Sequence, residues 1–105
     1  MVSPYAVVRV ERIKQIVADR LKVSRRDLSS CFRTKEVSWA RHLALYLCRQ
    51  HVNASFPELG LMFLKDHTSV IYACKKIKVM REKDNNLDAL LTELEAELHH
   101  AERLG

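Results

Sequence analysis

Leu64-Lys65-Asp66-His67-Thr68-Ser69-Val70-Ile71-Tyr72-Ala73-Cys74-Lys75-Lys76 opens on polar side chains and then turns apolar on one face. Val70, Ala73, Cys74, Ile77 and Met80 recur at the i, i+3, i+4, i+7 spacing of a helix packed on a core. Asp66 stands where a capping residue belongs, so the spacing predicts a helix over 66–83. Asp66, His67, Thr68 and Ser69 would fill its first turn, with Lys75, Lys76 and Lys78 further along. Such a cluster either caps a surface helix or aims the positive end of the helix at a ligand.

Upstream, Ser55-Phe56-Pro57-Glu58 has the S-x-x-E spacing of a capping box and predicts a short helix over 56–63. Leu59, Met62 and Phe63 form its core face. A short helix, a tight turn at Leu64-Lys65 and a longer helix make a helix-turn-helix arrangement. The second helix of such a unit enters the major groove of DNA, and its N-terminal residues meet base edges. His67, Thr68 and Ser69 can hydrogen-bond there, and a threonine methyl can touch the methyl of thymine. The alternative is a plain helical hairpin whose cap faces solvent.

Further out, Ser3-Pro4 starts a helix to about Leu21, with Val7, Val8, Ile13, Ile16, Val17 and Leu21 on its apolar face. Residues 22–34 read as a short helix within a basic loop, capped by Ser24 or Asp27. A helix over 35–52 turns Val37, Ala40, Leu43, Ala44, Leu47, Cys48 and His51 inward and leaves Trp39 and Tyr46 off the stripe. Asp84-Asn85-Asn86 is a break. Leu87, Leu90, Leu91, Leu94 and Leu98 then follow among carboxylates, as an acidic helix that folds back on the body or pairs with another chain. The expected fold is all-α, with a helix-turn-helix body at 1–83 and an acidic amphipathic helix at 84–105.

The chain has 105 residues, enough for one core, and 48% of them are apolar. Residues 1–83 hold 17 Lys/Arg against 7 Asp/Glu, a net of +10; residues 84–105 hold 1 against 6, a net of −5. A basic body points to a polyanion. Cys31, Cys48 and Cys74 are odd in number and lack a CxxC pair, which fits free thiols in a reducing cytosol. Cys48-x-x-His51 supplies too few ligands for a metal site. No signal peptide and no run near the roughly 20 apolar residues of a membrane span is present, so no membrane partner is expected. His99-His100 and the scattered carboxylates form no catalytic constellation, so neither an enzyme nor a cofactor is expected.

Several stretches occur in an order that identifies a family. They are Val17-Ala18-Asp19-Arg20-Leu21-Lys22-Val23, Asp27-Leu28, Arg41-His42-Leu43-Ala44-Leu45-Tyr46-Leu47, Phe56-Pro57-Glu58-Leu59-Gly60, Asp66-His67-Thr68-Ser69-Val70 and Ala73-Cys74-Lys75-Lys76-Ile77. Over about residues 8–83 the chain resembles the C-terminal DNA-binding domain of the bacterial replication initiator DnaA. The resemblance implies a Trp-repressor-like helix-turn-helix bundle that binds double-stranded DNA at a short A·T-rich box, through the major groove and an adjacent minor groove. It implies base contacts by Asp66, His67, Thr68 and Ser69, and a minor-groove contact by Arg33. Lys35, Arg41, His42, Arg49 and Lys65 match phosphate-holding positions, Pro57 lies near the backbone, and Lys75 adds charge. Such phosphate contacts set affinity, while base contacts set sequence.

The chain also departs from that family. Phe63-Leu64-Lys65 replaces Phe-Gly-Gly-Arg, one residue shorter and without either glycine, which is expected to tilt the recognition helix. His42 replaces the usual glutamine, Cys31 and Phe32 stand where basic residues are common, Glu36 enters the loop, and Trp39 replaces a frequent arginine. No G-x-x-x-x-G-K-[ST] loop is present; a complete chain would therefore have no ATPase of its own. Two readings follow. The favoured one is sequence-specific binding to DnaA-box-like DNA, regulating replication initiation or transcription in the cytoplasm at the nucleoid. The other is an interaction module acting on the initiator or its regulators, built on exposed Phe32 and Trp39 and on the acidic helix, which would also cover the basic face as an autoinhibitor.

Overall fold

A computed structural model describes residues 3–30 and 34–104, which form five α-helices and one 3-10 turn. The helices are α1 (Pro4–Leu21), α2 (Lys35–His51), α3 (Phe56–Phe63), α4 (His67–Lys83) and α5 (Asn85–Leu104). The 3-10 turn, Arg26–Ser29, joins α1 to α2. It replaces the short helix expected within 22–34, and neither Ser24 nor Asp27 caps it by a side chain. Among the described residues there is no strand, and no helix is long and apolar enough to cross a membrane.

The helix ends follow local chemistry. The Ser3 hydroxyl accepts from the Tyr5 N–H, and Pro4 begins α1. Thr34 Oγ1 accepts from the Val37 N–H at the start of α2. Ser55 and Glu58 form the full capping box of α3. Asp84 both ends α4 and starts α5, where its carboxylate accepts from the Asn86 and Leu87 N–H groups.

α1 corrects one expectation. Val7 and Val8 are exposed, and the buried face is Ala6, Val10, Ile13, Lys14, Val17 and Ala18. Two alanines and a lysine are part of this face. Ile16 and Leu21 pack at the edge of the core.

α2 is the centre of the bundle, with α1, α3, α4 and α5 all packed on it. A helix enclosed in this way has more than one buried stripe. Leu45 and Tyr46 are buried alongside the expected Leu43, Ala44, Leu47 and Cys48, and Trp39 is half-buried against the core rather than exposed. Cys48 and Cys74 are buried free thiols.

The turn between α3 and α4 closes without glycine because Leu64 takes the left-handed conformation itself, at φ 53° and ψ 44°. That conformation costs a branched L-residue about 1–2 kcal/mol. The glycine that the motif does require lies in α3. A Cβ on Gly60 would stand 2.5 Å from the Lys65 carbonyl oxygen, and the Lys65 N–H donates back to the Gly60 carbonyl at 2.8 Å. The bare backbone of Gly60 lets the turn lie against α3.

α5 buries Leu87, Leu91, Leu94 and Leu98 in the same core as the other helices. Around this seam Arg9 pairs with Glu102, Arg20 with Glu93, His51 with Glu95, and Arg81 with Asp88 and Glu95. The more exposed of these pairs contribute at most about 1 kcal/mol each, so the buried leucines supply most of the hold on the helix, and the half-buried Arg81–Glu95 and His51–Glu95 contacts add to it. The acidic helix therefore lies along α1, α2 and the end of α4. The described ion pairs of its carboxylates reach α1, α2 and the C-terminal end of α4, rather than the first turn of α4 that the expected autoinhibitory arrangement would cover.

Candidate nucleic-acid interface

The first turn of α4 projects from the bundle. Asp66, His67, Thr68 and Ser69 are all exposed, while Val70 directly behind them is buried. Asp66 occupies the N-cap position with extended backbone, yet its carboxylate makes no capping hydrogen bond. The expectation that it caps α4 is thus corrected: Oδ1 lies 3.2 Å from His67 Nδ1 instead. Thr68 and Ser69 hydroxyls make no hydrogen bond within the described structure. Donors and acceptors that the fold does not use are thereby grouped at the positive end of a helix dipole.

Beside this turn, Ser38, Arg41, His42 and Leu45 of α2 face Lys65 and Ser69 across an open cleft of about 470 Å³. Burial pushes the His42 imidazole below its ordinary pKa of 6.5, and the Lys76 and Arg41 charges push it the same way. It is therefore mostly neutral at pH 7, an uncharged hydrogen-bonding group. Its ring meets Tyr72 edge-on at 6.2 Å, and Lys76 Nζ lies 5.8 Å from the Tyr72 ring centre.

The expected phosphate-holding residues divide into two groups. Lys35 at the start of α2, Lys75 on the outer face of α4 and Pro57 in the first turn of α3 are exposed. Arg49 is also exposed, but its guanidinium donates to the Ala54 carbonyl at 3.0 Å and stacks 4.2 Å over the Phe56 ring, so it braces the link between α2 and α3 as well. Arg41 is only 6% exposed, and it donates to the carbonyls of Leu28, Asp27 and Ser30 at 3.0 Å each. The planar fork of a guanidinium suits these converging carbonyls, and Arg41 ties the 3-10 turn to α2. Arg33, expected in the minor groove, lies outside the described residues, as do Cys31 and Phe32.

Three participants were missed in the sequence. Ser38 lines the cleft, Gly60 admits the turn, and Tyr72 stands one helical turn beyond Thr68 on the outer face of α4. The four-residue spacing from Thr68 was the available signal for Tyr72. Among the described residues the Cys48-x-x-His51 pair gathers no further ligand. Burial drives the Cys48 thiol far above its ordinary pKa, and His51 Nε2 lies 2.6 Å from Glu95.

Comparison with known proteins agrees with this architecture. Residues 10–77 match a family model described as the bacterial dnaA protein helix-turn-helix. The chain is 45% identical over 85 residues to the chromosomal replication initiator protein DnaA of Nostoc sp., covering 80% of this chain and 18% of that protein. It is 44% identical over 94 residues to the DnaA of Rippkaea orientalis, covering 89% of this chain and 21% of the relative. A crystal structure of a DNA replication initiation factor superposes with a TM-score of 0.79 at 32% identity, covering 89% of this chain and 29% of that one. The chain thus spans about a fifth of the length of the relatives it matches. On the family match, the identities and the shared fold, this chain belongs to the bacterial DnaA helix-turn-helix family, the non-catalytic DNA-binding module of the replication initiator.

Proposed function

We propose that the chain binds double-stranded DNA sequence-specifically, at a short A·T-rich box of the initiator type, and so regulates replication initiation or transcription. The observation that carries this reading is the exposed, structurally unspent run Asp66-His67-Thr68-Ser69 at the N-terminus of the second motif helix. In the major groove these side chains meet base edges, with Thr68 offering both a hydroxyl and a methyl. Lys35, Lys65, Lys75 and Arg49 serve phosphates, His42 serves as a neutral donor, and Pro57 lies along the backbone. Arg41 acts on the DNA chiefly through the turn it holds. Arg33 enters a narrow A·T minor groove, whose negative potential favours arginine. The 105 residues contain no phosphate-binding glycine loop of the ATPase type, and no nucleotide chemistry is assigned to them.

One observation favours a second reading. Leu61 and Leu64 are each 72% exposed, one helical turn apart beside the motif turn. They suit contact with a protein, such as the initiator or one of its regulators. Trp39 and α5 no longer support that reading, because both are packed into the bundle.

Fluorescence anisotropy separates the two. A labelled duplex carrying an initiator-type box is compared with a scrambled duplex of equal composition, at 50 and 200 mM salt. Box-preferring binding that weakens by roughly a hundredfold or more across this range is expected if about four phosphates are neutralised. Salt-sensitive binding without preference removes the base-reading role. Absence of binding at both concentrations leaves the protein-contact reading in its place.

A further inference from the structure

Among the described residues Lys14 is, beside Arg41, the other buried cation, only 3% exposed, and the DNA contacts proposed above make no use of it. Its ammonium sits where three elements converge. Nζ donates to the Met62 carbonyl at 2.6 Å, to Ser29 Oγ at 2.7 Å and to Glu11 Oε1 at 3.3 Å, and it lies 4.5 Å from the centre of the buried Phe63 ring. Those three acceptors use the three donors that a lysine has. Met62 belongs to the last turn of α3, where carbonyls lack an intrahelical partner and the helix dipole is negative. Lys14 therefore caps α3 from another helix, two residues before the left-handed Leu64 that sets the direction of α4. Ser29 ends the 3-10 turn that Arg41 fastens to α2.

We infer that Lys14 is a positioning residue for DNA reading, fixing the helix-turn-helix unit relative to α2 and thereby the two walls of the DNA-facing cleft. One wall is Lys65 and Ser69, carried by the turn and α4; the other is Ser38 and His42, carried by α2. DNA docks productively only when both walls meet it together. Stability alone gives little reason for a lysine at this place. Taking an ammonium out of water is costly, and apolar side chains in place of the whole buried polar cluster often serve a fold equally well or better. What such side chains lack is three directional bonds to three separate elements. This inference rests on the DNA-binding reading above.

The test compares wild type, Lys14→Met and Ser29→Ala for melting temperature and for affinity toward the box and scrambled duplexes. Lys14→Met is expected to melt within about 5 °C of wild type. Its box-over-scrambled ratio is expected to fall by roughly tenfold, with affinity for the scrambled duplex almost unchanged. Ser29→Ala removes one acceptor of Lys14 and the 3.4 Å bond from the Ser29 hydroxyl to the Met62 carbonyl, and is expected to lower the ratio in the same direction. A merely structural lysine would move the melting temperature and both affinities together and leave the ratio alone. A ratio within about twofold of wild type in a folded Lys14→Met overturns the inference. If Lys14→Met does not fold, an unchanged ratio in Ser29→Ala overturns it and a lowered one supports it. A wild type without box preference defeats the DNA-binding reading and this inference with it, and the unmodified chain alone distinguishes that case.

Discussion

The two ends of α4 use polar side chains in opposite ways. At the C-terminal end Arg81 donates to Asp88, Tyr46, Thr92 and Glu95, joining α4 to α2 and α5. At the N-terminal end the hydroxyls of Thr68 and Ser69 bond to nothing described, and Asp66 leaves its capping role unfilled. Both ends lie on one rigid helix over one core. The difference separates charge that holds the bundle from polarity held ready for a partner. It also explains how a chain of net charge +5 carries an acidic helix without masking its basic face: the carboxylates of α5 are matched to Arg9, Arg20, His51 and Arg81.

The largest expected effect comes from the position of the N-terminal end itself. Gly60→Ala drives a methyl into the Lys65 carbonyl, backbone against backbone, with no flexible side chain to yield. A loss of about 3 kcal/mol in chemical denaturation is expected, together with loss of box binding, since the turn must move.

Next comes a pair of substitutions with opposite readouts. Arg81→Ala is expected to cost about 2 kcal/mol of stability and to leave the box preference of the folded protein intact. Thr68→Ala is expected to leave the melting temperature unchanged and to cost about 1–3 kcal/mol of discrimination between box and scrambled duplex. Should Arg81→Ala relax base preference, or Thr68→Ala destabilise the fold, the contrast between the two ends would be lost.

Acid sharpens the same contrast. Burial on its own would raise the Glu95 carboxyl, but hydrogen bonds and charge from Arg81 and His51 outweigh it and hold the pKa below 4.5. The unfolded chain therefore takes up this proton more readily than the folded one. The stabilisation is complete above the ordinary carboxylate pKa and is lost as pH falls through the lower folded value. Thermal melts between pH 6 and 3 should show this decline, and Glu95→Gln should lower the melting temperature at pH 6 while flattening the acid limb. A limb equally steep in the variant would place the acid sensitivity elsewhere.

The smallest effect is expected at the turn. Leu64→Gly relieves a left-handed leucine that is largely exposed. Against this stands the extra chain entropy of glycine, leaving a net gain of about 0.5–1 kcal/mol. A loss of stability would mean that the leucine side chain contributes more packing than its exposure suggests.

Sequence periodicity served well wherever a helix has one buried side. The boundaries of α3 match the expected 56–63, and Val70, Ala73, Cys74 and Ile77 of α4 are buried as their spacing requires. It failed where that template does not apply. α2 is enclosed by four helices, so Leu45, Tyr46 and Arg41 are buried off the expected stripe. α1 turns inward on alanines and a lysine, which carry little apolar signal, while Val7 and Val8 remain outside. At the candidate site the exposed run Asp66-His67-Thr68-Ser69 was legible because its residues are contiguous. The cleft opposite them was not, because Ser38 and His42 meet Lys65 and Ser69 only through the packing of α2 on α4. Arg41 looked like a phosphate ligand because an arginine in a basic region carries the same letter whether it faces solvent or three carbonyls.

Amide chemical-shift mapping during titration with the box duplex addresses both ends of α4 in one experiment. The expected result is that the largest changes fall on residues 65–72 and on the exposed face of α2 at Lys35, Ser38 and His42. Amides of 87–104 should stay near their free positions. Changes concentrated on α5 and around Arg81, with 65–69 unmoved, would contradict the assignment of the unspent end of α4 to DNA.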